Sequence, residues 1–173
     1  MSKAVMLSIR PKWCEKIARG EKTIEVRKTR PKMNTPFKCY IYCTLPKYPH
    51  EDFIATNYPM PQFYGGGKVV GEFTCDRIYE LAPLNHAPDD VEKQACLTRE
   101  KIVNYLKGTG YGWHISDLRI YDAPRELSEF RRACQNSWYC ESCAMYRENN
   151  GTCGNESLKL KRAPQSWCYV EEG

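Results

Sequence analysis

Hydrophobic and polar residues alternate along much of the chain in short segments, a pattern that predicts a protein built mainly from strands. These segments are rich in β-branched and aromatic residues, and few others show helical spacing. We predict strands at residues 3–9, 23–27, 37–44, 68–81, 113–122 and 166–171. Short strands with few helices between them favour an α+β fold that is mainly β, arranged as a small and partly open β-barrel.

The clearest alternation is in the segment TIEVR, which begins at Thr23. Ile24 and Val26 are predicted to face one side of the strand. Thr23, Glu25 and Arg27 are predicted to face the opposite side. The segment therefore predicts a half-buried strand with one polar face.

Two or three short helices are expected between the strands. Pro11 suits the first turn of a helix, which Gly20 is placed to end. A second helix is predicted within 98–107, with Thr98 as its N-cap. Residues 45–67 show no periodicity and are predicted to form a long surface loop.

The length and composition of the chain indicate one globular domain without a membrane span. The chain has 173 residues, of which 42% are hydrophobic and 27% charged, so residues 1–173 fit a single domain. No apolar run approaches the roughly 18 residues that a spanning helix needs. The N-terminal segment is too short and too charged for a signal-peptide core, which predicts a cytoplasmic protein.

Positive charge is concentrated in the first third of the chain. Residues 1–50 hold 12 Lys and Arg against 3 Asp and Glu, a net charge of +9, whereas the whole chain carries +5. Such a surplus predicts either a basic face that attracts phosphates or an ordinary solvated surface.

One segment carries a recognisable order of functional residues. Residues 7–28 read LSIRPKWCEKIARGEKTIEVRK, a strand, a proline-started helix, a glycine turn and a second strand. This order resembles the ASCH domain family, a relative of the PUA RNA-binding fold. The family's signature is a glycine, a variable residue and a lysine, followed by glutamate and arginine on the next strand. Gly20, Lys22, Glu25 and Arg27 match it.

The resemblance implies a PUA-type barrel with a cleft near the first helix that binds RNA, single-stranded nucleic acid or a modified nucleoside. Arg27 has the geometry to donate two hydrogen bonds to a phosphate or a base edge, and Glu25 to accept one from an exocyclic amine such as that of cytosine. Lys22 is predicted to be a mobile charge suited to phosphate. The candidate binding residues are Arg10, Trp13, Lys22, Glu25 and Arg27. In the alternative interpretation, Glu25 and Arg27 form an ion pair that braces the strand.

An enzymatic function of the same fold is a further alternative. Some small members of the family hydrolyse N4-acylated cytidines with the motif lysine, a threonine on the next strand and a later glutamate. In an enzyme of this kind, the resemblance would assign catalysis to Lys22 and Glu25, although Glu25 stands where the family has threonine, and Glu72 would be the later acid. A nucleophilic lysine must lose its proton, and a neighbouring carboxylate favours the protonated form. A ribonuclease is another possibility of the same fold.

A second group of candidate residues is a cysteine-rich insert at residues 131–157. Cys134, Cys140, Cys143 and Cys153 are separated by five, two and nine residues, and four thiolates satisfy tetrahedral zinc without an open position. We therefore expect a structural zinc ion that orders this insert. Free thiols and a redox dithiol are the alternatives. If the zinc knuckle is a docking surface, the protein is an interaction module whose protein partner is unknown.

The other six cysteines are predicted to be buried. A buried free thiol behaves as a small hydrophobic side chain, so core packing is the expected role. These residues are Cys14, Cys39, Cys43, Cys75, Cys96 and Cys168.

Overall fold

The described chain is organised in three separate β-sheets. The structure, a computed structural model, describes residues 3–47, 53–55, 62–82, 86–134, 137–151 and 153–173. Its strands are β1 (Lys3–Ile9), β2 (Ile24–Arg27), β3 (Phe37–Cys43), β4 (Phe53–Ala55), β5 (Gln62–Tyr64), β6 (Lys68–Cys75), β7 (Ile78–Glu80), β8 (Tyr111–His114), β9 (Ser116–Arg125) and β10 (Trp167–Glu171). Its α-helices are α1 (Pro11–Ala18), α2 (Val91–Ala95), α3 (Arg99–Leu106) and α4 (Ala144–Glu148).

The largest sheet has five strands in the order β10-β1-β3-β6-β9. Strands β1 and β3 pair in parallel, and the other neighbours are antiparallel. A three-stranded sheet has the order β2-β8-β7, and β4 pairs with β5 alone. The fold is therefore α+β and mostly β, as predicted. The predicted barrel is wrong, because the described strands do not close into one hydrogen-bonded sheet.

The sheets are separate because two predicted strands change sheet partway along their length. The segment 68–81 was expected to be one strand, but Asp76 and Arg77 interrupt it, and β7 pairs with β8 in the smaller sheet. Ile115 interrupts the predicted strand 113–122 in the same way, so that β8 belongs to the smaller sheet and β9 to the five-stranded sheet. Alternation continues on both sides of each interruption, which is why the sequence did not reveal them.

The three-stranded sheet lies between two hydrophobic cores. One core contains β1, α1, β3 and β6 together with Trp113 from β8. The other contains Ile24 and Val26 from β2 with apolar residues of α2 and α3. A third cluster covers the opposite face of the five-stranded sheet and includes Tyr40 and Tyr121. Strand β2 is therefore packed on both of its faces.

The connecting segments contain more regular structure than the sequence predicted. The expected loop at 45–67 holds β4 and β5, while residues 48–52 and 56–61 lie outside the described part of the chain. The described chain has four α-helices rather than two or three, because α2 and α4 were not predicted. The cap of α3 is confirmed, since the Thr98 hydroxyl accepts a hydrogen bond from the Lys101 amide at 3.3 Å. None of the described helices is long and apolar enough to cross a membrane.

Candidate functional site

The turn after α1 brings Lys22 back against the helix it follows. Gly20 has φ +72°, a left-handed conformation that L side chains rarely adopt. The amides of Glu21 and Lys22 then both donate to the carbonyl of Lys16, at 2.9 and 3.1 Å. This tight return sends the Lys22 side chain inward rather than into solvent.

The ammonium group of Lys22 has three oxygen neighbours. It donates 2.8 Å hydrogen bonds to the carbonyls of Ile24 and Ala95, and it lies 3.3 Å from Oε2 of Glu25. It also lies 5.2 Å from the centre of the Trp13 ring. The prediction that Lys22 is a mobile charge is therefore wrong, because these contacts hold it in one position.

Arg27 links β2 to the five-stranded sheet. Its Nη2 donates to the Ser8 carbonyl at 2.8 Å and lies 3.0 Å from Oε1 of Glu25. Its Nη1 donates to the carbonyl and the hydroxyl of Ser166 at 3.4 and 3.3 Å. Lys22, Glu25 and Arg27, called here the charged triad, thus form one connected ion cluster.

The charged triad is nearly buried. The exposed fraction of the Lys22 side chain is 2%, and that of Glu25 and of Arg27 is 8%. Alternation within β2 is confirmed, but its predicted solvent-facing polar side is wrong, because the five-stranded sheet covers it. In the smaller sheet, Glu25 pairs directly with the fully buried Trp113.

The charged triad lines a cavity of about 450 Å³, called here the triad cavity. Arg10 and Trp13 also line it, so the structure brings all five sequence-predicted binding residues together. Arg10 is exposed and Trp13 is half-buried. The structure adds residues from distant segments that sequence reasoning missed. They are Ser8, Ile9, Val26, Thr44, Leu97, Lys101, Tyr105 and Gln165.

Lys101 and Tyr105 are the most informative of the missed residues. They are four positions apart on α3, a spacing that places both on one side of a helix. Both are exposed, and Tyr105 supplies a second aromatic ring to the triad cavity. The spacing was visible in the sequence, but nothing there indicated that α3 packs beside β2.

Two buried polar atoms of the charged triad have no hydrogen-bond partner. Oε2 of Glu25 lies close to Lys22 but accepts no well-oriented hydrogen bond, and Nε of Arg27 donates to none of the described atoms. A buried polar group left unpaired costs about 1–3 kcal/mol. Two atoms without hydrogen bonds among the described residues, an acceptor that keeps its ion pair with Lys22 and a donor, therefore belong to neighbouring residues that line the same cavity.

The charge of the triad cavity is positive. Arg10, Lys22, Arg27 and Lys101 are its cationic residues, and Glu25 is its carboxylate, which gives a net charge of +3. Arg10 and Lys101 are exposed, whereas the three residues of the charged triad are buried. The cavity thus combines a buried ion cluster with exposed positive charge at its surface.

Glu72, the candidate for a later catalytic acid, lies elsewhere. It lines a different cavity with Arg119 and accepts a 2.7 Å hydrogen bond from the Tyr121 hydroxyl. In β6 it points away from the core that contains its neighbour Phe73. The structure therefore does not bring Glu72 to Lys22.

The four cysteines of the insert line one cavity, but they do not form a ligand cluster. Cys134, Cys140, Cys143 and Cys153 all border a cavity of about 580 Å³. Across the described residues, no three His, Cys, Asp or Glu side chains are grouped closely enough to hold a metal ion. Residues 135–136 and 152 of the insert lie outside the described chain. Zinc binding stays a prediction.

The remaining cysteines are mostly core residues, as expected. Cys14, Cys39, Cys43 and Cys75 are buried, whereas Cys96 and Cys168 are only partly so. Burial raises the pKa of Cys14 and Cys39 well above the usual value of a thiol, and neighbouring thiols raise it further. Burial and the nearby Asp76 charge raise the pKa of Cys75 to about 12. These thiols stay protonated near neutral pH.

A comparison of the sequence with known families gives one result. The ASCH domain sequence model matches residues 7–147, which include the charged triad, Arg10, Trp13 and α3. No curated protein matches the chain in sequence.

Solved structures with the same fold come from Zymomonas mobilis. The structure titled as ASCH from this organism has a TM-score of 0.57 and 15% identity, over 98% of this chain and 88% of that one. A tyrosine-to-phenylalanine mutant of ZmASCH from this organism has a TM-score of 0.57 and 14% identity, over 99% of this chain and 92% of that one. A serine-to-alanine mutant of ZmASCH has a TM-score of 0.58 and 14% identity, over 98% of this chain and 89% of that one. At these identities, the likeness shows the fold alone.

Proposed function

Because the chain belongs to the ASCH domain family, whose fold is generally of an RNA-binding kind, we propose that it binds single-stranded RNA or a modified nucleoside by taking one base into the triad cavity. At about 450 Å³, the cavity is within the usual range of ligand pockets, about 300–1,000 Å³. Its inner wall would contact the base, and its exposed cations would contact the phosphates.

The observation that carries this proposal is that one acceptor and one donor of the charged triad make no hydrogen bond among the described residues. Oε2 of Glu25, which keeps its ion pair with Lys22, and Nε of Arg27 are buried and have no hydrogen-bond partner in the part of the chain that the structure describes. The edge of a cytosine presents an amine donor beside ring acceptors, which is complementary to this pair. Binding such an edge would satisfy both atoms and recover their desolvation cost.

Two aromatic residues of the cavity can bind the face of a base. Trp13 lies on α1 and Tyr105 on α3, and both rings border the triad cavity. Stacking of a base on an aromatic side chain contributes about 1–3 kcal/mol. Stacking is tolerant of sequence, so selectivity for a particular base would come from the charged triad.

The exposed cations fit the phosphates of a nucleic acid. Arg10 and Lys101 border the cavity from solvent, and Lys12 lies nearby, with its ammonium 5.0 Å from the centre of the Trp13 ring. Mobile cations at a surface neutralise phosphates and release counterions. The affinity for an oligonucleotide would then decrease with increasing salt.

The contacts of Lys22 favour binding over hydrolysis. A lysine nucleophile must be unprotonated, with its lone pair directed at the substrate. The ammonium of Lys22 instead donates to two carbonyls and lies next to the Glu25 carboxylate. We therefore assign Lys22 to holding the carboxylate in place rather than to chemistry.

The test is a salt titration of RNA binding with matched variants. Fluorescence anisotropy with a labelled single-stranded RNA gives the dissociation constant at each salt concentration. Arg10→Ala is expected to weaken binding and to lower the slope of log K against log salt by about 0.7, the value for one phosphate contact in a single strand. Arg19→Ala removes an exposed arginine that does not line the cavity and pairs with Glu15. Arg19→Ala is expected to retain the wild-type dissociation constant and the wild-type salt slope.

Two results would contradict the proposal. Arg10→Ala and Arg19→Ala would have equal effects if binding depended only on overall charge. An affinity that is insensitive to salt would instead indicate a mostly apolar interface, as expected of a protein-interaction module.

A further inference from the structure

The cysteines of the insert meet around a second cavity that does not include the charged triad. Cys134, Cys140, Cys143 and Cys153 border this space of about 580 Å³, called here the cysteine cavity. Their positions in the sequence span twenty residues, so the path of the chain brings their side chains to one place. The RNA-binding function proposed above does not use them.

Two of the cysteines are fixed by a turn at the tip of the insert. Cys140 lies within the 3-10 helix Ser137–Ser142, and Cys143 directly precedes α4. The Cys143 amide donates to the Cys140 carbonyl at 3.0 Å. This hydrogen bond closes a turn, which holds the two α-carbons within about 7 Å.

The other two cysteines lie near the base of the insert, where the chain is attached to the main sheet. Just before Cys134, the Ala133 amide donates to the Tyr169 carbonyl of β10 at 3.3 Å. Just after Cys153, the Arg131 guanidinium donates to the Asn155 carbonyl. The base and the tip therefore face each other across the cysteine cavity.

The side chains described within the insert form no buried cluster. Phe130 and Leu160 are buried, but none of the side chains described between them is. Met145, a large apolar residue of the insert on α4, is 51% exposed. Short helices without a buried face are not stable by themselves. A segment of this kind needs another source of stability, and metal coordination supplies it in small domains.

We propose that Cys134, Cys140, Cys143 and Cys153 bind one structural Zn²⁺ ion. Four Zn–S bonds of about 2.3 Å place neighbouring sulfurs about 3.8 Å apart in a tetrahedron. Each thiol transfers its proton to solvent as its bond to zinc forms, so four protons are released for one ion. In the described structure the four thiols are not yet grouped at these distances, so zinc binding would require their sulfurs to approach one another.

One cation, Arg131, lies beside the cysteine cavity, where it also pairs with Glu171 at 3.6 Å and with Glu156 at 3.7 Å. Zinc with four thiolates carries a net charge of −2, which a nearby cation stabilises. The Arg131 guanidinium has Nη2 at 3.6 Å from the Cys153 sulfur. Arg131 is therefore placed to donate to a metal-bound thiolate.

The test measures metal content and thiol protection on the full-length protein. Protein purified without added metal is analysed for zinc by mass spectrometry and alkylated in its native state, before and after chelation. We expect about one zinc per chain and alkylation of the insert cysteines only after chelation. Co²⁺ substitution should give the charge-transfer absorption of a tetrahedral thiolate site.

Matched variants separate the zinc site from general thiol chemistry. Cys143→Ser is expected to bind zinc at least about tenfold more weakly, while Cys96→Ser, outside the cysteine cavity, should retain zinc. Cys140→Ser is a second test of the same turn. Zinc well below one per chain in the wild type, or retention of zinc in both Cys140→Ser and Cys143→Ser, would overturn the proposal. RNA binding at the triad cavity is measured in parallel, because its loss would concern the other site.

Discussion

The ammonium group of Lys22 donates a 2.8 Å hydrogen bond to the carbonyl of Ala95, the last residue of α2. Carbonyls at a helix C-terminus have no partner within the helix, so a buried lysine is well suited to bind one. The same group reaches the Ile24 carbonyl in β2. The lysine of the family signature thus attaches α2 to the strand that carries Glu25.

Replacement of Lys22 is therefore expected to destabilise the protein. Lys22→Met keeps the length of the side chain but leaves Glu25 with one cation and the Ala95 carbonyl without a donor. Breaking a buried ion pair costs about 3–5 kcal/mol. We expect a loss of about 3 kcal/mol in the free energy of unfolding, measured by urea denaturation.

The control for this prediction is Lys16→Met. Lys16 pairs with Glu21 at 2.7 Å, but the Lys16 side chain is partly exposed and that of Glu21 is exposed, so the expected loss is below about 1 kcal/mol. Equal losses in the two variants would show that the burial of the charged triad does not stabilise the fold.

Substitution of Glu25 should change which base is preferred. A carboxylate only accepts hydrogen bonds and favours the exocyclic amine of cytosine, whereas an amide both donates and accepts. We expect Glu25→Gln to reduce the preference for oligo-C over oligo-U RNA about tenfold, within the 1–3 kcal/mol of one base contact. Anisotropy with both oligonucleotides measures the ratio.

Thermal unfolding of Glu25→Gln is the necessary control, because a loss of both affinities together would reflect a damaged fold. An unchanged ratio in a folded variant would mean that Glu25 does not contact the base.

The two aromatic residues of the triad cavity should contribute separately to affinity. Trp13→Ala and Tyr105→Ala each remove a ring that borders the cavity, and each is expected to weaken RNA binding by about 1–3 kcal/mol. Trp13→Phe keeps an aromatic face and should recover most of the loss. If Trp13→Phe bound as weakly as Trp13→Ala, stacking would not be the role of this residue.

The buried thiols predict a loss of stability at alkaline pH. Unfolded cysteines titrate near pH 8.5, whereas burial raises the pKa of Cys75 to about 12. Between these values, the folded protein binds more protons than the unfolded chain, so stability falls as pH rises. The decrease is about 1.4 kcal/mol per pH unit for such a thiol.

Unfolding free energies at pH 8 and pH 10 test this prediction. The decrease over this interval should be about 2 kcal/mol smaller in Cys75→Val than in the wild type. Cys75→Ser also lacks the thiol. Its decrease in unfolding free energy should be smaller by the same amount, even if the substitution lowers stability at both pH values through poorer packing. If both variants kept the wild-type dependence on pH, titration of Cys75 would not be its cause.

Several features of the site could be predicted from local sequence. The period of two in TIEVR correctly placed Ile24 and Val26 on one side of β2, and Glu25 and Arg27 on the other. Pro11 and Gly20 correctly bounded the first helix and the turn that carries Lys22. These features depend on backbone conformation within a few residues, which the sequence encodes directly.

Which element covers each face of a strand was decided only by tertiary structure. The five-stranded sheet covers the polar side of β2, which buries Glu25 and Arg27 instead of exposing them. Packing of α3 beside β2 adds Lys101 and Tyr105 to the cavity from far along the chain. The transfer of β7 and β8 to a separate sheet likewise depends on long-range pairing. Alternation specifies that a side chain faces away from one core, but not whether water or another sheet lies opposite.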